Sequence, residues 1–541
     1  MKKLMTLVLC LILAMTAVSF AEAPITWSGT ISVAGYMFGP VDESKDIVTP
    51  TVEKVLREKY GLDVDIEIVY VENANYGEIM NTRIAGGTAP DIFLSRSVEN
   101  MTQYYEQGAI ASWTPEFWQE NAPHVYEFIT TGGYQGRLAH AVDIFWEKSM
   151  IDGKMVTIGK LDEQNCMPGK TLIYRGDWLE ALGVEEEDLP TTLDDFIDLL
   201  YRFAKEDPDG NGIDDTYGCS SSVVQAIFGA FGSTPGFVGG TSLWSVVDGE
   251  VVRDDVLPQN KEVLEILQQL YADGVLHPEF ISGENKGGYW AVSQGFINGE
   301  FGASCHASID HYRKPEVCND NGGPVAVEYY AINGADADFV YGPWPMGPEG
   351  HYGLSIGDAV SIGENAVYNS KLNDDPDKLA AIFKIMDIFA TDDELMTLAA
   401  WGIEGETFEF DENGAPKMIV ESADMNERGV QATRSLFGVE KAYSELSMEY
   451  AFYKSATILN RLNYFDLPQY DSHRTNAVSN SNNTPSLSKY KSELITYRDE
   501  TWVSIIKGEL PLDYYETYVE EYMAKGGQVL TDEANEWYAN K

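Results

Sequence analysis

The chain has 541 residues, with 37 Lys and Arg against 86 Asp and Glu and a formal charge of −49. A field of that sign repels nucleic acid and anionic lipid, so neither is expected as a main partner, and it favours neutral ligands over anionic ones. The length implies two or more domains with ample core. Aromatics make up 12 % of the chain, enough to expect some of them on a binding surface.

Lys2 and Lys3 precede an apolar run from Leu4 to Phe20, and Ala21-Glu22-Ala23 offers a small-x-small cleavage site. Residues 1–23 therefore read as a secretory signal peptide, too short for a membrane span and without a basic stop-transfer flank. Cys10 lies inside the apolar run and is a poor lipid anchor. The mature protein is expected to be exported: extracellular, at the cell surface or in the periplasm.

Ile31 to Phe38 is apolar and ends at Gly39-Pro40, predicting a buried strand. Thr49-Pro50 starts a helix with Val52, Val55 and Leu56 on one face, since proline suits a first helical turn. Leu62 to Val71 alternates apolar and acidic residues, the pattern of a half-buried strand. A helix over 76–84 stops at Gly86-Gly87, and Ile92-Phe93-Leu94 gives another strand. This βαβαβ rhythm predicts an α/β layer with a mainly parallel sheet.

A second unit starts at 170–174, with a helix over 178–182. Pro190-Thr191-Thr192-Leu193-Asp194-Asp195 marks the next helix start, an acidic residue following Thr by three. Further helices are predicted over 261–270, 377–388, 393–400, 489–506 and 513–524. Ser479 to Ser486 is polar and low in complexity, and reads as a surface loop.

Asp207-Pro208-Asp209-Gly210-Asn211-Gly212-Ile213-Asp214-Asp215 puts side-chain oxygens at relative positions 1, 3, 5 and 9 and glycine at 6. That is the spacing of an EF-hand-type calcium loop. Asp207, Asp209, Asn211 and Asp215 would supply side-chain ligands, and Ile213 its backbone carbonyl. Position 12 is Gly218 where a full loop has Glu, so the loop is partial. The bland alternative is a solvated turn after a helix. The ion would be structural, because nothing beside the loop resembles a nucleophile or general base.

Cys166, Cys219, Cys305 and Cys318 follow the leader and allow three disulfide pairings that spacing does not rank. Cys305-His306, His311 and Cys318 lack the paired spacing of a structural zinc site, so free thiols or one local bridge are expected. There is no GxSxG elbow, Walker loop, HExxH or strand-following GxGxxG.

The chain resembles the extracellular solute-binding proteins of ABC importers, in the large sugar- and oligosaccharide-binding branch. The resemblance rests on Asn81-Thr82-Arg83-Ile84-Ala85-Gly86-Gly87-Thr88-Ala89-Pro90-Asp91-Ile92, on Tyr105-Glu106-Gln107-Gly108-Ala109-Ile110, and on Arg175-Gly176-Asp177-Trp178-Leu179-Glu180-Ala181-Leu182-Gly183. Pro190 to Phe196 and the Asp207–Asp215 loop extend it. Thr216 stands where the family often has Glu, and Asp214 adds a carboxylate.

The resemblance implies an α/β, two-lobed periplasmic-binding-protein fold, with a ligand cleft and hinge between the lobes. The expected boundaries are 24–150 for the first part of lobe 1 and 151–300 for the first part of lobe 2, with the calcium loop at 207–216. Residues 301–400 would return to lobe 1 and carry the hinge crossings, and 401–541 would complete lobe 2.

A sugar or oligosaccharide would be held by stacking and lobe closure, then delivered to ABC permease subunits by a monomer. Candidate ligand-binding residues are Trp244, Tyr289, Trp290, Trp344, Trp401 and Glu404 in loops, and Tyr36 and Phe38 at a strand end. Asp91 and Arg175 join them at loop-to-element junctions. An arginine in the cleft would admit uronates despite the negative field. The alternatives are a secreted glycoside hydrolase, which needs two placed carboxylates, and a surface glycan-capture protein without a transporter.

Overall fold

The computed structural model describes residues 27–37, 41–133, 136, 138–161, 172–238, 240–281, 293–305, 312, 314, 323–334, 337–352, 360–361, 365–410, 416–420, 428–430, 443–448, 476–478 and 480–541. The leader at 1–23, Phe38, Tyr289, Trp290, Cys166 and Cys318 lie outside these residues, as do His306 and His311. Of Tyr36 the backbone alone is described.

The first lobe opens with β1 (Ser28–Met37), α1 (Val48–Tyr60), β2 (Asp63–Glu72), α2 (Tyr76–Ala85) and β3 (Ile92–Ser95). β1 and β2 pair in parallel from Ser28↔Asp63 to Met37↔Glu72, and β1 pairs in parallel with β3 at Val33↔Ile92. Val64 and Ile66 turn into the core while Asp63, Asp65 and Glu67 face water, as the period-two pattern requires. α1 starts two residues ahead of Pro50. Asp46 rather than Thr49 caps it, accepting from the Val48 (3.1 Å) and Thr49 (2.9 Å) amides. Helices α3 (Val98–Glu106), α4 (Pro115–Asn121), α5 (Pro123–Thr130) and α6 (Val142–Ser149) follow, then the short hairpin β4 (Met150–Ile151) and β5 (Lys154–Met155) and the strand β6 (Lys160–Leu161).

The second lobe is built on an antiparallel sheet. It runs β7 (Leu172–Arg175), α7 (Gly176–Ala181), α8 (Leu193–Lys205), α9 (Ser221–Ala230), β8 (Trp244–Val247), β9 (Glu250–Arg253), α10 (Asn260–Ala272), α11 (Gln294–Ile297), β10 (Ala303–Ser304), α12 (Pro324–Asn333) and β11 (Phe339–Gly342). β7 lies between β10 and β11, and both neighbours are antiparallel to it. α8 starts where the capping pattern predicts: the Thr192 hydroxyl accepts from the Asp195 amide at 3.3 Å and donates to its carboxylate at 2.7 Å. Phe196, Leu200 and Phe203 form its buried stripe. Gly302 lets the sheet approach that stripe, because a Cβ there would sit 2.4 Å from the Phe203 ring. α9 was not anticipated. Its apolar residues run round the whole helix, so no amphipathic period marks it, and it is buried almost throughout.

The chain then returns through β12 (Val360–Ser361) and β13 (Asn365–Tyr368). β13 completes the first sheet in the order β13-β3-β1-β2, antiparallel to β3 from Asn365↔Ser95 to Tyr368↔Ile92. α13 (Pro376–Phe389) and α14 (Asp393–Ala400) pack on lobe 1, Phe383 meeting the rings of Trp113 and Tyr368. The hairpin β14 (Phe408–Phe410) and β15 (Pro416–Met418) and the short α15 (Glu445–Met448) precede α16 (Leu487–Ile506), α17 (Tyr514–Tyr522) and α18 (Gln528–Ala539). These last three helices lie on lobe 2, where Tyr515 and Tyr518 donate to the carbonyls of Leu257 and Asp255.

Two expected boundaries shift. Residues 303–304 and 339–342 still belong to the lobe 2 sheet, and the chain rejoins lobe 1 only at β12 and β13. The segment after 401 begins on lobe 1, where Ile47 and Val48 donate to the carbonyl of Arg428, and reaches lobe 2 later.

A candidate ligand cleft at the hinge

In the first sheet the chain leaves β1 for β2 on one side and crosses back to β3 on the other. This makes the carboxyl ends of β1 and β3 a topological switch point, the place where open α/β sheets hold ligands. The chain passes between lobes at the same end. β6 leaves lobe 1 and β12 re-enters it, paired antiparallel as Lys160↔Ser361 and Leu161↔Val360. β13 is the next described strand after β12, and its first residue, Asn365, lies opposite Ser95 at the carboxyl end of β3. In lobe 2, the end of the sheet at Leu172↔Gly342 is the one connected to these crossing strands. The chain thus goes over from the first sheet to the second after β6 and comes back before β12.

The residues at the carboxyl end of β3 were missed in the sequence. Arg96 directly follows the strand. Its guanidinium lies 4.5 Å from the Tyr76 ring centre and donates to Asn73 Oδ1 at 2.6 Å. The strand-end reasoning that selects Tyr36 on β1 applies equally to β3, and that was the available signal. On the same side of lobe 1 stand Trp401 and Glu404. α14 begins at Asp392, beside Lys59 and Tyr60 at the far end of α1. Its other end therefore carries Trp401, half-buried, and the exposed Glu404 toward the start of α1. Tyr36 is at the carboxyl end of β1, opposite Val71.

Asp91 and Arg175 occupy the wrong ends of their strands. Asp91 precedes β3, and its Oδ2 accepts from the Ser32 amide (2.8 Å), the Ser32 hydroxyl (2.9 Å) and Lys378 Nζ (2.8 Å). A cavity of about 350 Å³ lined by Gly87, Ala89, Gln107, Asn369 and Lys371 lies at this same pole, away from the hinge. Arg175 ends β7 opposite Phe339, at the edge remote from the crossing strands. It is 4 % exposed, and it pairs with Asp177, donates to the Phe296 carbonyl and Asn333 Oδ1, and lies over the rings of Trp178 and Tyr329. Both residues tie elements together.

Trp344 follows β11 on the hinge side but is 1 % exposed, and its indole N–H meets no acceptor among the described residues. Trp244 is 3 % exposed beneath the Arg253 guanidinium, 5.1 Å from the ring centre. These two indoles are packed instead of presenting a face. Cys219 and Cys305 are both buried, and Cys305 donates to the Ser222 carbonyl.

The acidic loop is exposed and internally bonded. Gly212 N–H donates to the Asp207 carboxylate, and the Asn211 amide nitrogen bridges Asp209 (2.7 Å) and Asp215 (3.1 Å). Partial burial, the Asp207 side chain and the charges of Asp215 and Asp207 raise the Asp209 carboxyl, against the Asn211 amide that lowers it. Among the described residues no three His, Cys, Asp or Glu form a ready metal cage. The donor set still fits a hard cation, being four oxygen-bearing side chains with crowded charge. To admit the ion, Asn211 would exchange its bridging NH2 for Oδ1, which now accepts from Ile213 N–H.

The family profile for bacterial extracellular solute-binding protein matches residues 45–371. The polygalacturonan/rhamnogalacturonan-binding protein YtcQ of Bacillus subtilis is 22% identical over 504 residues, 91% of this chain and 88% of that protein. Lipoprotein LipO of the same organism is 27% identical over 259 residues, 46% of this chain, so the match spans only 45% of its length. A solved structure of an HMO binding ABC-transporter associated solute binding protein from Bifidobacterium longum infantis superposes with a TM-score of 0.61 at 15% identity, covering 94% of this chain and 98% of that one. At that identity the likeness establishes the two-lobed fold.

Proposed function

The chain belongs to the bacterial extracellular solute-binding protein family, and from that premise we propose that it captures an oligosaccharide between its lobes and delivers it to an ABC permease. The single observation that supports this reading is the pairing of β6 with β12, the strands on either side of the chain's passage through lobe 2, followed by β13 at the switch point of the first sheet. A two-strand hinge beside a ligand crevice is the arrangement that converts binding into lobe closure.

Arg96, Trp401 and Glu404 are the residues proposed to line the lobe 1 side, with Tyr36 at the end of β1. A sugar presents an apolar C–H face to an aromatic plane and hydroxyls to polar edges. Arg96 is the cation that would admit an acidic sugar despite the chain's charge of −49. Similarity to the Bacillus subtilis polygalacturonan/rhamnogalacturonan-binding protein supports a polymer-derived ligand of that kind. The protein is exported, works as a monomer and performs no chemistry on its ligand. Calcium at Asp207, Asp209, Asn211, Asp215 and the Ile213 carbonyl is a structural ion.

Titration calorimetry of the mature protein against neutral and uronate oligosaccharides tests the reading. Saturable binding with a negative heat-capacity change is expected, since closure buries apolar surface. Absence of binding across both panels would overturn it.

A further inference from the structure

Residues 476–478 touch lobe 2, and residues 480–486 touch lobe 1 and then lobe 2 again. At the start, Ala477 N–H donates to the Trp244 carbonyl at 2.9 Å, and Trp244 N–H donates to Asn476 Oδ1 at 2.9 Å. This fixes the segment to the edge of the β8–β9 hairpin. The turn at Ser481–Asn483 then lies on lobe 1. Asn482 Nδ2 donates to the Thr102 hydroxyl at 3.0 Å, and that hydroxyl is 3.3 Å from Asn482 Oδ1. Asn483 Nδ2 donates to Glu147 Oε1 at 2.7 Å, and Asn480 Nδ2 to the Glu147 carbonyl at 3.4 Å. Three residues later Ser486 N–H donates to Glu533 on α18, at 3.0 Å, back on lobe 2.

This segment reads in sequence as a solvated loop. In the fold Asn480 is 6 % exposed and Thr484 is 1 % exposed, so it is built into the molecule. Its lobe 1 partners are placed for leverage. Thr102 is on α3, which starts just beyond the carboxyl end of β3. Glu147 precedes Lys148, whose Nζ donates to the Val360 carbonyl of the hinge strand β12 at 3.1 Å. One end of α6 therefore touches both the hinge and the turn.

We infer that residues 476–478 and 480–486 form a strap, anchored to lobe 2 at both ends and hydrogen-bonded to lobe 1 in the middle, that limits how far the lobes part. The inference rests on the reading of the protein as a binder that works by lobe closure. The lobe 1 contacts are neutral amide and hydroxyl bonds with one acceptor carboxylate. Each contributes little alone, so the strap can release and reform as the lobes move. Without it, the ligand-competent arrangement is a smaller fraction of the unliganded ensemble, and apparent affinity falls by that fraction.

The test uses the double variant Asn482→Ala/Asn483→Ala, with Thr102→Val cutting the same contact from the other lobe. Small-angle X-ray scattering of the unliganded proteins should give a larger radius of gyration for both variants than for wild type. Affinity for any sugar that wild type binds should fall about three- to tenfold. Circular dichroism melting identifies a variant that fails to fold, and Thr102→Val, which changes one hydroxyl on an intact helix, then decides. Scattering profiles that superpose on wild type for the folded variants would overturn the strap. If wild type binds no sugar, the functional reading falls, while the unliganded scattering still decides the strap by itself.

Discussion

The Lys148 ammonium, buried on α6 of lobe 1, donates to the Val360 carbonyl at 3.1 Å and so holds the strand by which the chain returns from lobe 2. Methionine at 148 would keep much of the volume and leave that carbonyl without this donor. Lys148→Met is expected to lower stability by about 1–3 kcal/mol, the worth of a charged hydrogen bond in a buried setting. It should also weaken sugar binding several-fold, because the hinge is less constrained. Thermal melting and calorimetry on the same preparation separate the two effects.

Arg175 resembles part of a family motif, yet its guanidinium is committed to Asp177, Asn333 and the Phe296 carbonyl. Arg175→Met leaves the half-exposed Asp177 carboxylate and two acceptors without their donor. A stability loss of about 2–4 kcal/mol is expected, with sugar affinity within about twofold of wild type wherever the variant is folded. A large affinity loss without destabilisation would place Arg175 in the cleft after all.

Calcium should raise the melting temperature, since an ion bound by the folded state alone stabilises it. The folded-state carboxyl of Asp209 is raised, by partial burial first and by Asp207 and Asp215 next. Its ionised form therefore costs stability at neutral pH, and that cost disappears as pH falls below the ordinary carboxylate range of about 4. Calcium relieves the same crowding, so its effect should be greatest near neutrality and vanish in acid. Asp209→Ala should abolish the response. Scanning fluorimetry with calcium and with chelator at several pH values checks all three.

Trp401 caps the end of α14, half-buried and three residues before Glu404, and is proposed to line the cleft. Trp401→Ala is expected to weaken sugar binding about tenfold, the scale of one lost stacking contact. Calorimetry with the wild-type ligand reads this directly.

Much of the fold was legible because local signals agreed with the tertiary outcome. The acidic–apolar alternation of 63–67, the Thr192 cap and the Pro-Asp entry to β3 each specify an element by short-range chemistry. The loop aromatics carried no such information. Trp244 and Trp344 sit beside glycine and proline and are nonetheless sealed in the core, because what surrounds a side chain is set by chain segments far away in sequence. Asp91 and Arg175 are bonded to neighbouring elements, and their junctions in the sequence do not reveal which pole of the sheet each strand end occupies. The same gap hid Arg96 and made the strap look like an ordinary polar loop.

The most direct test of capture without cleavage is a thermal-shift screen of the mature protein against an oligosaccharide library, with chromatography of the recovered sugar. The account predicts a raised melting temperature for one sugar class, and that sugar returned intact. Shortened sugars absent from a protein-free control would show hydrolysis and contradict it, as would a library that leaves the melting curve unmoved throughout.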